Sequence, residues 1–174
     1  MIAIRLHGLG GQGVVTSAEI LAKAAFAQGL QVQAFPFFGV ERTGTPVTSY
    51  VRLDSQPIKV RQQIYQPDWL IILSDKVLTQ AEVKSGLTKT THIIINSQQA
   101  VPALAKQLSV PAKQITAVDL SHSTYANTAL LSAWARLSGL IKLSSLQQAL
   151  TEKLSNKDQK IILANIAELN QKYA

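Results

Sequence analysis

Ile2-Ala3-Ile4-Arg5-Leu6-His7-Gly8-Leu9-Gly10-Gly11-Gln12-Gly13 opens the chain, and its reading decides the fold class. Ile2 to His7 is a short, mostly apolar run that stops abruptly in glycines, the pattern of a buried strand. From about Gly13 to Gln28 the period becomes helical. Ala18, Leu21, Ala22 and Ala25 fall at i, i+3, i+4 and i+7, a stripe of small residues that lets a helix lie close to a sheet. Glu19 and Lys23 form an i,i+4 pair on another face, and Gly29 ends the helix. A strand, a glycine turn and a helix in immediate succession are the opening of an α/β domain.

The rest of the chain repeats the alternation. Leu30 to Phe35 reads as a second strand, and Val47 to Leu53 alternates as a third, with Ser55 to Pro57 as a turn. Asp68 to Leu73 is a buried strand, and a helix is predicted to start near Asp75. His92 to Ile95 and Ile115 to Leu120 are further strands, with Asn96 and Ser97 placed to cap the helix that follows the first of them. Ala126, Leu130, Ala133 and Leu137 share a helical face ended by Gly139. Two more helices are marked by Leu146, Ala149, Leu150 and Leu154, and by Ile162, Ile166, Leu169 and Tyr173. The expectation is a three-layer, Rossmann-like α/β fold, its sheet largely parallel or mixed and flanked by helices. The antiparallel signal is strongest around Val47 to Leu53. Repeats, low-complexity tracts and linkers are absent.

Composition narrows the function. The 174 residues contain 47% hydrophobic side chains, enough to bury one core. Seventeen lysines and arginines against ten acids give a net charge of +7, but the charges are spread from Arg5 to Lys172. They are not interleaved with aromatics as in a nucleic-acid groove, so the excess reads as solvated surface with some anion or subunit contacts. There is no cysteine, which removes a disulfide, a thiol nucleophile and any cysteine-ligated iron–sulfur cluster from this chain. With no signal-peptide stretch and no membrane-length apolar run, the expected location is the cytoplasm, with no membrane partner.

Two segments carry chemistry. Gly8-Leu9-Gly10-Gly11-Gln12-Gly13 satisfies G-x-G-x-x-G between a strand and a helix, where backbone N–H groups and a helix N-terminus favour a phosphate. A dinucleotide site also wants a carboxylate at the end of the second strand. Gln31-Val32-Gln33-Ala34-Phe35 offers none, which argues against NAD. A tight turn without a ligand is the alternative reading. The second segment is Phe35-Pro36-Phe37-Phe38-Gly39-Val40-Glu41-Arg42-Thr43-Gly44-Thr45-Pro46. Three of four phenylalanines within four positions, followed by a Glu-Arg pair between glycines, suit a subunit interface or the wall of a site. The alternative is a plug at the end of the core. The remaining polar residues are weaker candidates. His7 reads as a satisfied core or turn histidine. His92 and His122 lack metal-ligand spacing, Asp54, Asp68 and Asp75 suit turns or caps, and Asn127 suits a helix start.

GLGGQG, AEILAKAA (18–25) and FPFFGVERTGTPV (35–47) together resemble the gamma subunit, or equivalent fused domain, of pyruvate and related 2-oxoacid:ferredoxin oxidoreductases. Further similarity follows in order at Arg52-Leu53-Asp54, Pro57-Ile58, Gln63 to Asp68, Asp75, and Asn127 to Leu146. The likeness is dense over the first seventy-five residues, thin in the middle, and returns after Asn127. The resemblance implies one pyruvate/ketoisovalerate oxidoreductase gamma-type domain over residues 1–174. It also implies oxidative decarboxylation of a 2-oxoacid with coenzyme A, to acyl-CoA and carbon dioxide, with ferredoxin or flavodoxin as acceptor. Thiamine diphosphate, magnesium, iron–sulfur clusters and coenzyme A would belong to the whole complex of alpha, beta, gamma and delta-type subunits. This chain alone would bind no metal and supply no catalytic residue. By the same resemblance Gly8, Gly10, Gly11, Gln12 and Gly13 form a cofactor-binding turn. Phe37, Phe38, Gly39, Glu41, Arg42, Gly44 and Pro46 form a substrate or subunit-interface loop. The phenylalanine-rich loop is closer to the pyruvate branch than to the 2-oxoglutarate branch. Leu9, Thr43 and Thr45 depart from the arginine, arginine and alanine common in pyruvate-type members. A free-standing nucleotide-binding domain and a non-catalytic assembly protein of the same fold remain as alternatives.

Overall fold

A computed structural model describes residues 1–37 and 44–171. Among them six strands form one sheet in the order β2-β3-β1-β4-β5-β6. The strands are β1 (Ile2–Leu9), β2 (Gln31–Phe37), β3 (Pro46–Asp54), β4 (Trp69–Ile72), β5 (His92–Asn96) and β6 (Ile115–Val118). β1, β4, β5 and β6 are mutually parallel, whereas β3 runs antiparallel to both β1 and β2. The sheet is therefore mixed, with the antiparallel strand where the alternation of residues 47–53 placed it.

The helices are α1 (Val14–Ala27), α2 (Ala81–Lys84), α3 (Val101–Leu108), α4 (Ala126–Ser138), α5 (Leu143–Lys153) and α6 (Gln159–Asn170). Parity along the strands separates two apolar layers. Ile4, Leu6, Ile71, Ile94 and Val118 face a core with α1, α4 and α5. Leu70, Ile72, Ile93, Ile95 and Ile115 face a smaller core with Val77, Val83, Leu104 and Leu108. α1 lies close to the sheet because Ala18, Ala24 and Ala25 are almost fully buried on its inner side. α6 is fastened to α4 by the Thr128 hydroxyl donating to Asn165 Oδ1 at 2.7 Å and the Ser132 hydroxyl donating to the Leu169 carbonyl at 2.6 Å.

Several local expectations are corrected. β2 runs on through Pro36 and Phe37, so the loop begins later than its sequence suggests. Proline is tolerated there because β2 is an edge strand. The helix expected near Asp75 is a 3-10 turn, Asp75–Thr79, capped by Ser74 and followed by the four-residue α2. Asn96 and Ser97 do not cap α3. Asn96 Oδ1 accepts from Leu120 N, and the Ser97 hydroxyl donates to Asp75 Oδ2 at 2.6 Å. Glu19 and Lys23 do not pair with each other; Glu19 meets Lys153 and Lys23 meets Glu152, both across to α5. α4 is buried nearly all round, while Leu137, assigned to its inner face, is exposed. Tyr173 lies outside the described residues.

Candidate functional site at the carboxyl edge of the sheet

β1, β4, β5 and β6 all end on one edge of the sheet, and β1 and β4 are neighbours. From β1 the chain crosses through α1 toward β2; from β4 it turns the other way toward β5. The crevice between them is a topological switch point, where open α/β sheets bind ligands. The glycine turn fills one side of it.

Gly8, the last residue but one of β1, has no room for a side chain. An added Cβ would lie 2.8 Å from Val14 Cγ2 and 3.1 Å from Leu73 Cβ, so the glycine lets β1, α1 and the end of β4 converge. Gly13 precedes α1 with φ +77°, a left-handed conformation, and a Cβ there would be 2.7 Å from Asn127 Nδ2. Gln12 folds back over the turn, its Oε1 accepting from Leu9 N at 2.7 Å. Its side chain therefore braces the loop from within. Gly10 joins the two sequence motifs: its N–H donates to the Thr45 carbonyl at 2.8 Å, and its carbonyl accepts from Gly44 N at 3.2 Å. Leu9 pairs with Pro46 in the β1–β3 ladder. Gly44, Pro46 and Phe37 thus stand at the same sheet edge as the glycine turn. Phe38, Gly39, Glu41 and Arg42 lie outside the described residues.

A cavity of about 310 Å³ opens in the crevice, walled by Gly11, Gly13, Leu73, Asn96, Thr124 and Asn127 among others. The first turn of α1 carries no acidic side chain. Its N–H groups and the helix dipole give this end positive potential without a lysine or arginine in the wall. The arrangement can hold a phosphate or diphosphate on backbone donors, with the amides of Asn96 and Asn127 as neutral partners. Asn127 reads from sequence as a helix-start residue; α4 does begin one residue earlier, but the amide packs against Gly13 instead of capping.

On the other face of β1, His7 is buried (4% exposed) and its Nδ1 is 3.1 Å from the Thr48 hydroxyl. Its Nε2 has no hydrogen-bond partner, so the reading of a satisfied core histidine holds for only half of the ring. Burial, reinforced by the charge of Arg5, lowers its pKa to about 3, which keeps the ring neutral at physiological pH. Asp54 behaves as the expected turn residue, accepting from Gln56 N, whereas Asp68 accepts from Ala3 N on β1 and Asp75 from the side chains of Ser97 and Gln99, long-range ties in place of a turn or cap. Among the described residues no three His, Cys, Asp or Glu side chains group as metal ligands, and no helix is long and apolar enough to cross a membrane.

The family description for pyruvate ferredoxin/flavodoxin oxidoreductase matches residues 3–174. The chain belongs to this family. It is 40% identical over 164 residues to the "pyruvate/ketoisovalerate oxidoreductases common subunit gamma" of Pyrococcus furiosus, covering 90% of this chain and 89% of that one. It is 40% identical over 178 residues to "pyruvate synthase subunit PorC" of Methanocaldococcus jannaschii, covering 99% of each. Among solved structures, pyruvate oxidoreductase subunit PORC of Thermotoga maritima superposes with a TM-score of 0.80 at 26% identity, over 97% of this chain and 93% of that one. Membership places the α/β fold and the two motifs in an oxidoreductase context, and the relatives are named as subunits of such enzymes.

Proposed function

We propose that this chain is the gamma subunit of a thiamine-diphosphate-dependent 2-oxoacid:ferredoxin or flavodoxin oxidoreductase, with pyruvate as its principal acid. It works with alpha, beta and delta-type sister subunits in the cytoplasm. The observation that carries the reading is near-full-length similarity to gamma subunits, joined to a glycine turn that opens on a switch-point crevice. The whole chain, 1–174, serves as one domain.

Within the complex this chain's part is binding and assembly. Backbone N–H groups at Gly11, Gly13 and the first turn of α1, with Asn96 and Asn127, fit the phosphate groups of coenzyme A. The left-handed Gly13 beside Asn127 leaves no space for a side chain and exposes backbone there. Coenzyme A, when bound, supplies the thiol that accepts the acyl group. With no cysteine in the chain, cysteine-ligated clusters belong to sister subunits. The loop from Phe37 to Pro46 leaves the same edge and is suited to meet a neighbouring subunit or the substrate region. Arg42 in it is a partner for a phosphate or carboxylate.

The test is anaerobic purification of the tagged chain from its own cells, followed by a dye-reduction assay dependent on a 2-oxoacid and coenzyme A. Co-purifying thiamine- and iron-containing subunits with pyruvate activity are the expected result. A partnerless chain that binds coenzyme A would favour the free-standing nucleotide-binding domain, and one that binds neither partner nor nucleotide would end the proposal.

A further inference from the structure

The face of the sheet opposite α1 is covered by α3 over β5 and β6, and the 3-10 turn and α2 reach across β4 to β1, where the Val83 carbonyl accepts from Arg5. Over β1, β3 and β2 it carries polar and aromatic side chains. The register aligns Arg5 with Tyr50 and His7 with Thr48 across the β1–β3 ladder, and Phe37 with Thr48 across β2–β3. At the carboxyl end of this face lies a second cavity, of about 210 Å³, separate from the glycine-turn crevice. Its walls include His7, Thr48, Phe37, Val77 and Val83, and Glu82 stands in them as an exposed residue.

Two buried nitrogens here lack hydrogen-bond partners: His7 Nε2, on a wall residue, and Arg5 Nε, on a residue bonded to the wall's Val83. His7 Nδ1 is engaged by the Thr48 hydroxyl, and Nε2 has no partner. In the tautomer in which that hydroxyl donates to Nδ1, the neutral ring carries its proton on Nε2 and can offer it to an anion. Arg5 is 4% exposed, and its guanidinium donates to the carbonyl of Val83, a wall residue, at 3.1 Å and to that of Tyr65 at 3.5 Å. Its Nε–H has no partner, and no ion pair to Arg5 occurs among the described residues. A buried guanidinium satisfied only by neutral carbonyls leaves an uncompensated charge, a costly arrangement unless an anion comes close. Val77, Val83 and Phe37 supply an apolar part of the wall, and Gln80 stands in it beside Glu82.

We propose that this cavity binds a small organic carboxylate, its oxygens toward His7 Nε2–H and the Arg5 charge and its short apolar body against Val77 and Val83. Inorganic phosphate is disfavoured, because a dianion would face the same two donors with apolar walls and the Glu82 carboxylate close by. The site stands apart from the coenzyme A reading and does not depend on it.

The full chain, labelled with ¹⁵N at its three histidines, would be titrated with sodium propionate, sodium phosphate and sodium chloride at matched ionic strength. Long-range proton–nitrogen spectra report the tautomer of each ring, and loss of one signal in His7→Gln assigns His7. Propionate is expected to produce a saturable shift at His7 with protonation at Nε2, and chloride and phosphate are not. Arg5→Met should weaken binding by at least about tenfold. Glu82→Gln, an exposed change that leaves the fold intact, should tighten it by about threefold at low salt by removing a like charge. A non-saturating shift, equal shifts from phosphate or chloride, a shift confined to His92 or His122, or a Glu82→Gln affinity no better than the parent would each overturn the proposal.

Discussion

At the residue scale, two positions make quantitative demands. Gly13 is held at φ +77° with the Asn127 amide where its side chain would be. Gly13→Ala should therefore lower stability by about 1–3 kcal/mol, the usual cost of a strained left-handed residue. Urea unfolding checks this. Adding Asn127→Ala should recover only the part due to the contact, since the backbone strain remains. His7 gives a pH signature. Its pKa falls from 6.5 to about 3 on folding, chiefly through burial and next through Arg5. Between those values the unfolded chain binds a proton that the native chain refuses, so this group's contribution is whole above about pH 6.5 and declines as the pH drops toward 3. The slope is at most about 1.4 kcal/mol per pH unit. The difference between the stability–pH curves of the parent and His7→Gln should show that slope in that window and be flat above it. A flat difference throughout would mean that the ring is not buried. The sequence reading ended β1 at His7, whereas the strand runs on through Gly8 and Leu9, and the half-satisfied state of the ring was not legible because its partner Thr48 lies on a strand forty-one positions away.

At the element scale, α1 is the piece on which the crevice depends. Its first turn forms the end proposed to hold phosphate, and its small-residue side sets how near that end comes to β1. Ala25 is 0% exposed, so Ala25→Leu should overpack the helix–sheet contact and cost about 1–3 kcal/mol. Ala27→Leu, on the exposed side of the same helix, should be close to neutral. Thermal or urea melts of the pair separate packing from helix propensity. The elements legible in the sequence were those with a strong period or a hard stop: β1 ending in glycines, α1 ending near Gly29, and α4 ending at Gly139. Those misread lacked one. Residues 75–84 show no sustained helical stripe and divide into a 3-10 turn and a single α turn. β2 absorbs Pro36 because only its position at the sheet edge makes a missing N–H harmless.

At the scale of the whole molecule, the sheet is covered by helices on both faces over β4, β5 and β6, the cover of its second face reaches β1 through the 3-10 turn and α2, and among the described residues β2 is its edge strand. The exposed Phe37 belongs to that edge strand, and the exposed Tyr65 accepts through its carbonyl from Arg5 of β1. This is the part of the molecule proposed to meet sister subunits. The sequence by itself determined the α/β class, the antiparallel character of residues 47–53, the glycine turn between strand and helix, and the family, because each is written in local periodicity or in an ordered run of motifs. Tertiary structure alone decided that β3 would insert between β1 and β2 and that Gly10 would bond to Thr45. It alone brought Asn127 against Gly13 and buried His7 and Arg5 with one nitrogen of each left unpartnered. Those outcomes depend on strand order and on which face each register assigns to a side chain. They are set by the joint burial of two apolar layers, which no single stretch of the chain specifies.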